Sequence, residues 1–184
     1  METPLTEPLR SCKKIVVEEL LDKEFSSILE VGTQWAENLI PVKEKYPDKK
    51  IVGTDIDLPT LEEAKKITGL DLIEGDILAL PFKDKSFDIV FTEAVFVMLQ
   101  PEQIDRALNE VIRVAKKYII LVEPHSEKLN TIKNIGWENN NRIILNYKKE
   151  IEKKGLTPDI KKIPAGLWDV GLWKEFGYII TVKL

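Results

Sequence analysis

The sequence predicts an α/β fold: a doubly wound, mostly parallel sheet of seven strands that finishes in an antiparallel C-terminal strand. Three observations carry this expectation. Short apolar runs alternate with amphipathic segments through most of the chain, which is the signature of repeated strand–helix units. Successive runs stop at a glycine or an acid, at Val31-Gly32, Thr54-Asp55 and Glu74-Gly75-Asp76, placing ligand-type residues at the carboxyl ends of strands, where open α/β sheets bind. The pattern then changes past Pro124, and the chain closes on a β-rich pair near Thr157 to Ile163 and Tyr178 to Val182.

The elements follow in order. A first helix is expected over Leu9 to Lys23, burying Ile15, Leu20 and Leu21. Ser27 to Val31 forms the first strand, and Lys50 to Asp55 the second, after a helical stretch that Pro41 must restart or kink. Asp57 is placed to cap a helix that buries Leu61, Ala64 and Ile67 and ends at Gly69. Asp71 to Glu74 and Phe87 to Thr92 are the third and fourth strands. Pro101 opens the next helix, whose Ile104, Leu108, Val111 and Ala115 recur at helical spacing. Tyr118 to Glu123 is apolar on both faces and reads as an interior strand. A further helix is expected from about Asn140 to Lys154, closed by Gly155.

The chain has 184 residues, the size of one domain at roughly 100–200 residues each. We read residues 1–184 as a single unit: an N-terminal helix over 1–25, a core over 26–125, and a closing helix and strand pair over 126–184. With 31 Asp and Glu against 27 Lys and Arg, the formal charge of −4 gives no global attraction for nucleic acid or anionic membranes. Cys12 is the only cysteine and His125 the only histidine, so no multi-cysteine metal site is expected. The longest clean apolar run, Ala94 to Leu99, is far short of the ~18 residues of a membrane span. With an acid and no apolar stretch at its start, the chain reads as cytoplasmic.

A glycine after the first strand lets backbone approach a ligand, and an acid ending the second can take both ribose hydroxyls. The stretch from Gly75-Asp76 through Leu80-Pro81-Phe82 to Ser86-Phe87-Asp88 completes a constellation with Ile28-Leu29-Glu30-Val31-Gly32 and Val52-Gly53-Thr54-Asp55-Ile56-Asp57. Over roughly residues 26–125 the chain resembles a class I S-adenosylmethionine-dependent methyltransferase, with its Rossmann-like sheet. The later run Leu108 to Val114 followed by Tyr118 to Glu123 is similar too. The short turn Ala115-Lys116-Lys117-Tyr118 and the Ile-Leu-Val-Glu strand resemble the branch associated with pseudaminic-acid-type sugar biosynthesis.

The resemblance implies that S-adenosylmethionine is the cofactor and that Gly32, Thr33 and Trp35 pass its methionine end, with Glu30 beneath. It implies that Asp55 holds the ribose, that Ile56 flanks the adenine, and that Asp76 with the Ile77 amide reads the adenine edge. Asp57 reads as a helix cap rather than a ligand. Two departures stand out. Gln34 and Ala36 occupy positions where the family has glycines, and Met98 stands near where many members acting on small molecules carry a histidine.

Glu93 after the fourth strand is expected at the site, and Glu93, Glu123 and His125 are the groups placed to accept a proton. The segment Gly136 to Arg142 reads as a lid or a helix start, and Trp168 and Trp173 as cover for the sheet or a subunit contact. A small-molecule acceptor is expected more than a protein, and no nucleic acid. The other reading is a catalytically silent, methyltransferase-like cofactor-binding partner protein, on the strength of Gln34, Ala36 and Met98. A nicotinamide oxidoreductase is compatible with Gly32 and Asp55, but the sequence offers no hydride-transfer dyad.

Overall fold

Beside β1 (Ser27–Val31) lie β2 (Lys50–Asp55) and β4 (Phe87–Glu93), both parallel to it. The chain runs outward from β1 through β2 to β3 (Asp71–Glu74), then crosses back to β4 and on to β5 (Ala115–Pro124). Much later the chain returns as β9 (Gly177–Lys183), antiparallel to β5, and β8 (Pro158–Lys162) pairs antiparallel with β9. The seven-stranded order is therefore β3-β2-β1-β4-β5-β9-β8, and the sheet is doubly wound and mostly parallel, as the strand–helix alternation predicts. The direction of winding reverses between β1 and β4, which opens a crevice at their carboxyl ends. A small antiparallel pair, β6 (Asn130–Ile132) with β7 (Arg142–Ile144), stands apart from this sheet. The computed structural model describes residues 11–128, 130–132, 142–168 and 171–184.

Alternate residues of each strand feed two cores. Ile28, Ile89, Phe91, Ile120 and Val122 face α1 (Ile15–Glu19), α2 (Leu39–Lys45) and α3 (Leu58–Thr68). Leu29, Val90, Ile119 and Leu121 face α4 (Pro101–Val114) and α5 (Tyr147–Glu152). This period-two division is what apolar residues on both faces of an interior strand require. Pro101 opens α4, while the Gln100 amide donates to Gln103 Oε1 at 2.8 Å. Asp57 caps α3 by accepting from the Thr60 amide, and Gly69 ends it at φ 66°. A last short helix, α6 (Gly171–Phe176), leads into β9. Among the described residues, no helix is long and apolar enough to cross a membrane.

Three local expectations are corrected. The expected first helix is a 3-10 turn over Ser11–Lys14 followed by α1, which ends at Glu19. Leu21 thus lies in the following turn and is 64% exposed; Leu9 and Arg10 lie outside the described residues. Ile67 is 48% exposed, because two steps of three residues turn it about 120° away from Leu61 on the helix surface. The helix expected from Asn140 starts at Tyr147 instead, with Asn146 accepting from the Lys149 amide. Residues 142–144 belong to β7, as the β-branched pair Ile143-Ile144 favours. The 136–141 segment falls outside the described residues.

Leu108 is 2% exposed in the α4 core and Leu21 is open to solvent. Leu108→Ala should cost about 2–5 kcal/mol in urea unfolding, while Leu21→Ser should stay within about 0.5 kcal/mol. Equal losses would show that the α1 boundary is misplaced.

Candidate functional site

A cavity of about 660 Å³ opens at the carboxyl ends of β1, β2 and β4. The loop after β1 forms its floor. Gly32 turns at φ 80°, and a Cβ there would stand 2.3 Å from Val95 Cγ2, so only glycine lets this loop pass the one after β4. The Gly32 and Thr33 amides both donate to the Thr54 carbonyl, at 2.7 and 3.0 Å. Gln34 and Ala36 then adopt φ 44° and 60°. The left-handed conformations expected of the missing glycines are therefore kept. The Ala36 methyl points away from the cavity, because Ala36 is fully buried within the α1–α2 core.

Asp55 ties this loop to the next one. Its Oδ2 accepts from the Gln34 amide at 2.9 Å and its Oδ1 from the Asp57 amide at 3.0 Å. Each oxygen keeps a second lone pair for a ligand hydroxyl. Ile56 beside it is 68% exposed, an apolar surface left open on the cavity wall. Gly75 and Ile77 complete this end of the cavity. Asp76 does not line it: its Oδ1 accepts from the Leu78 amide at 2.8 Å and shapes the turn between them.

The other end is charged. Lys13, from the 3-10 turn before α1, donates to Glu93 Oε1 at 2.6 Å and lies 3.8 Å from Glu37 Oε2. Burial pushes the Glu93 carboxyl above its ordinary range, with Lys13 and, more weakly, the Asn38 amide pulling the other way. Burial also opposes the Lys13 charge, but the Glu93 carboxylate outweighs it and holds Lys13 above its ordinary value. Under the loop, Glu30 accepts from Thr33 Oγ1 and Asn38 Nδ2, both at 2.6 Å. Burial nevertheless pushes Glu30 up to about 8. Glu93 Oε2 and Asn38 Oδ1 are buried acceptors without a hydrogen-bond partner. Such orphans are costly unless a ligand or water satisfies them.

Those orphans test the cofactor that the sequence implies. S-adenosylmethionine carries an ammonium and a carboxylate at one end and a ribose and adenine at the other. Two orphan acceptors suit the ammonium, Lys13 suits the carboxylate, and Asp55 with Ile56 suits the nucleoside. The residues present fit the group.

Of the expected site residues, Gly32, Thr33, Trp35, Asp55, Ile56, Ile77 and Glu93 line the cavity, while Glu30 supports its floor from beneath. The other expected proton acceptors stand elsewhere. Glu123 is buried and accepts from Thr92 Oγ1 and from the Val95, Phe96 and Val97 amides, at 2.9 to 3.4 Å. It thereby fixes the 3-10 turn over Phe96–Met98, and burial pushes it up to about 7. His125 is 5% exposed; its Nδ1 accepts from the Tyr147 amide, and burial lowers its pKa. It lines a second cavity of about 540 Å³, with Lys148, Glu175 and Tyr178, rather than this one.

Sequence reasoning missed Lys13, Asn38 and Trp168. Lys13 had one signal, a lysine beside the buried Cys12 and Ile15 on a face with little room for charge. Nothing local marks Trp168, which reaches the cavity from 75 positions beyond Glu93 in the chain (168 − 93).

Glu30 and Glu123 both sit well above the usual value of 4.5 in the folded chain. The native state therefore holds more protons than the unfolded chain between about pH 4.5 and 8, and stability should fall as pH rises through that window and level off above it. Urea midpoints measured against pH should show this slope, and Glu30→Gln should flatten its upper part. A midpoint that climbs from pH 5 to 8 by about 0.5 M or more would contradict the assignment of these carboxyls.

Comparison with known proteins agrees with this geometry. A family model described as a methyltransferase domain matches residues 28–118, from β1 into β5. A demethylmenaquinone methyltransferase of Roseiflexus castenholzii is 36% identical over 91 residues, covering 48% of this chain and 37% of that protein. One from Thermus thermophilus is 32% identical over 107 residues, 55% of this chain and 48% of that protein. The chain thus spans about a third to a half of the length of these curated relatives. Among solved structures, a Burkholderia thailandensis 1,6-didemethyltoxoflavin-N1-methyltransferase with bound 1,6-didemethyltoxoflavin and S-adenosylhomocysteine superposes with TM-score 0.73 at 12% identity, covering 95% of this chain and 77% of that one. A methyltransferase from Methanosarcina mazei superposes with TM-score 0.67 at 16% identity, covering 92% and 96%. At such identities these structures speak for the fold. A sequence match that runs through the cavity-forming strands, on a sheet wound in this order, identifies residues 28–118 as a methyltransferase domain on a Rossmann-like sheet.

Proposed function

We propose that this protein binds S-adenosylmethionine in the cavity at the ends of β1, β2 and β4 and transfers its methyl group to a small-molecule acceptor. The observation that carries the reading is the division of one cavity into two chemically distinct ends. Asp55 and Ile56 form a nucleoside-type end, and Lys13 with the orphan Glu93 Oε2 and Asn38 Oδ1 forms an amino-acid-type end. When bound, the cofactor supplies a methyl group on a positively charged sulfur, an electrophile whose transfer depends on alignment more than on acid–base help.

Each residue has a role in that alignment. Asp55 holds the ribose hydroxyls, and Ile56 and Ile77 flank the adenine, while Asp76 shapes the turn that carries Ile77. Gly32, Thr33 and Trp35 carry the methionine chain, with Glu30 stiffening the loop through Thr33 and Asn38. Glu93, held by Lys13, meets the ammonium with its open Oε2, so alignment rather than a proton acceptor carries the transfer. His125 lies in the other cavity and is not assigned that part.

The relatives named for methylating demethylmenaquinone and a toxoflavin precursor support a small-molecule acceptor. The lone cysteine fits a reducing, cytoplasmic setting. The reading as a silent partner protein loses two of its three supports, because Gln34 and Ala36 keep the turn that glycines would make.

Calorimetry with S-adenosylhomocysteine should show saturable binding, and NADH should not compete. Asp55→Ala should weaken the affinity by about 1–3 kcal/mol, the loss expected for unpairing buried hydroxyls. No binding at millimolar ligand, or an unchanged affinity in the variant, would remove this reading.

A further inference from the structure

The cofactor reading uses Lys13, Asp55 and Glu93 and leaves one part of the cavity wall unused. Val95, Met98, Leu99 and Trp168 also line it, and none of them carries a charge. Three of these come from the loop after β4. Trp168 comes from the segment before α6 and β9, and β9 pairs with β5, so Trp168 approaches from the β5 side of the sheet. Asp55, Ile56 and Ile77 approach from the β2 and β3 side. The uncharged wall thus belongs to the β4–β5 side of the cavity, apart from the nucleoside residues, and is the part left for an acceptor.

Two features give this wall a specific chemistry. Trp168 is stacked on Trp173, with ring centroids 3.7 Å apart and planes within 5° of parallel. Both indoles also pack against the α1–α2 core. The stack fixes the plane of Trp168, so its edge and remaining surface meet the cavity at little entropic cost to a ligand. Met98 is 58% exposed while lining the same cavity. A thioether left open beside an aromatic wall is suited to covering a ring, since sulfur and aromatic rings attract one another.

Resting on the proposed cofactor site, we propose that the acceptor is an uncharged, planar ring compound held between Trp168 and Met98. A cationic amine would find no counter-charge among these four residues, and the open Glu93 oxygen is assigned to the cofactor ammonium while Glu37 faces Lys13. A saturated ring of the same size would fill the space but lose the stacking and sulfur contacts.

The test uses the full chain saturated with S-adenosylhomocysteine, titrated with 2-naphthol, with the saturated alcohol 2-decalol, and with ethanolamine. We expect 2-naphthol to bind at least about tenfold more tightly than either of the others. Trp168→Ala should weaken 2-naphthol by at least about tenfold, Trp168→Phe by no more than about threefold, and both should leave S-adenosylhomocysteine within about threefold. Met98→Asp, at an exposed position that leaves the fold intact, should also weaken 2-naphthol by at least about tenfold. Equal binding of 2-naphthol and 2-decalol, preference for ethanolamine, or loss of S-adenosylhomocysteine affinity in Trp168→Ala would overturn the ring site. S-adenosylhomocysteine binding is read separately on the free protein. Its absence overturns the cofactor reading, whereas failure of 2-naphthol on the loaded protein overturns the ring site alone.

Discussion

Everything at this site hangs on how the loop between β1 and α2 turns. It passes through left-handed backbone conformations at Gly32, Gln34 and Ala36, and only the first is a glycine. For residues with a Cβ such conformations cost roughly 1–2 kcal/mol each. The Asp55 carboxylate opposes that cost by accepting from the Gln34 amide, and Glu30 does so by accepting from Thr33 and Asn38. A hydrogen bond to a charged group is worth about 1.5–3 kcal/mol, so the Asp55 bond offsets much of that cost and the Glu30 bonds offset more of it. The buried methyl of Ala36 adds packing that glycine could not. A loop held by side chains rather than freed by glycines is stiff, and a stiff loop presents its cavity face ready-made.

The same economy appears on the far side of the cavity. Glu123 spends its carboxylate on the Thr92 hydroxyl and three consecutive loop amides, and so sets the turn that carries Val95 and Met98 to the cavity. Val95 in turn packs where a Cβ on Gly32 would fall. The two loops therefore fit only as a pair, each shaped by a buried acid at the end of a neighbouring strand. Lys13 closes the system by pairing with Glu93, a buried acid whose second oxygen is left without a hydrogen-bond partner.

The seven strands of the main sheet and most of the nucleoside end were legible in the sequence because each rests on local pattern, whereas Asp76, expected at the cavity, shapes a turn beside it. Apolar runs of period two, Gly32 and Gly75 after their strands, Asp55 at the end of β2 and the Asp57 cap are all readable within a few residues. The amino-acid end was less legible. Glu93 could be placed at a strand end, but Lys13 and Asn38 reach the cavity from two separate elements, with only the buried neighbours of Lys13 as a signal, and Trp168 on the acceptor wall has none. Ala36 was misleading in a different way: a substituted glycine suggests a methyl against the ligand, whereas the turn sends that methyl into the core. His125 reads as a loop residue at the rim because the bridge joining it to Leu145 is a long-range contact. Leu21 and Ile67 failed because a helix ended early in one case, and spacing by threes drifted off the buried stripe in the other.

The central claim is that one preformed cavity receives a nucleoside at Asp55 and an amino-acid group at Lys13, Asn38 and Glu93. A crystal structure of the S-adenosylhomocysteine complex tests it most directly. The account predicts ribose hydroxyls on Asp55, the ammonium on Glu93 Oε2 and Asn38 Oδ1, the carboxylate at Lys13, and Gln34 and Ala36 still at positive φ. A ligand bound outside this cavity, or a loop that has to refold to admit it, would contradict the account.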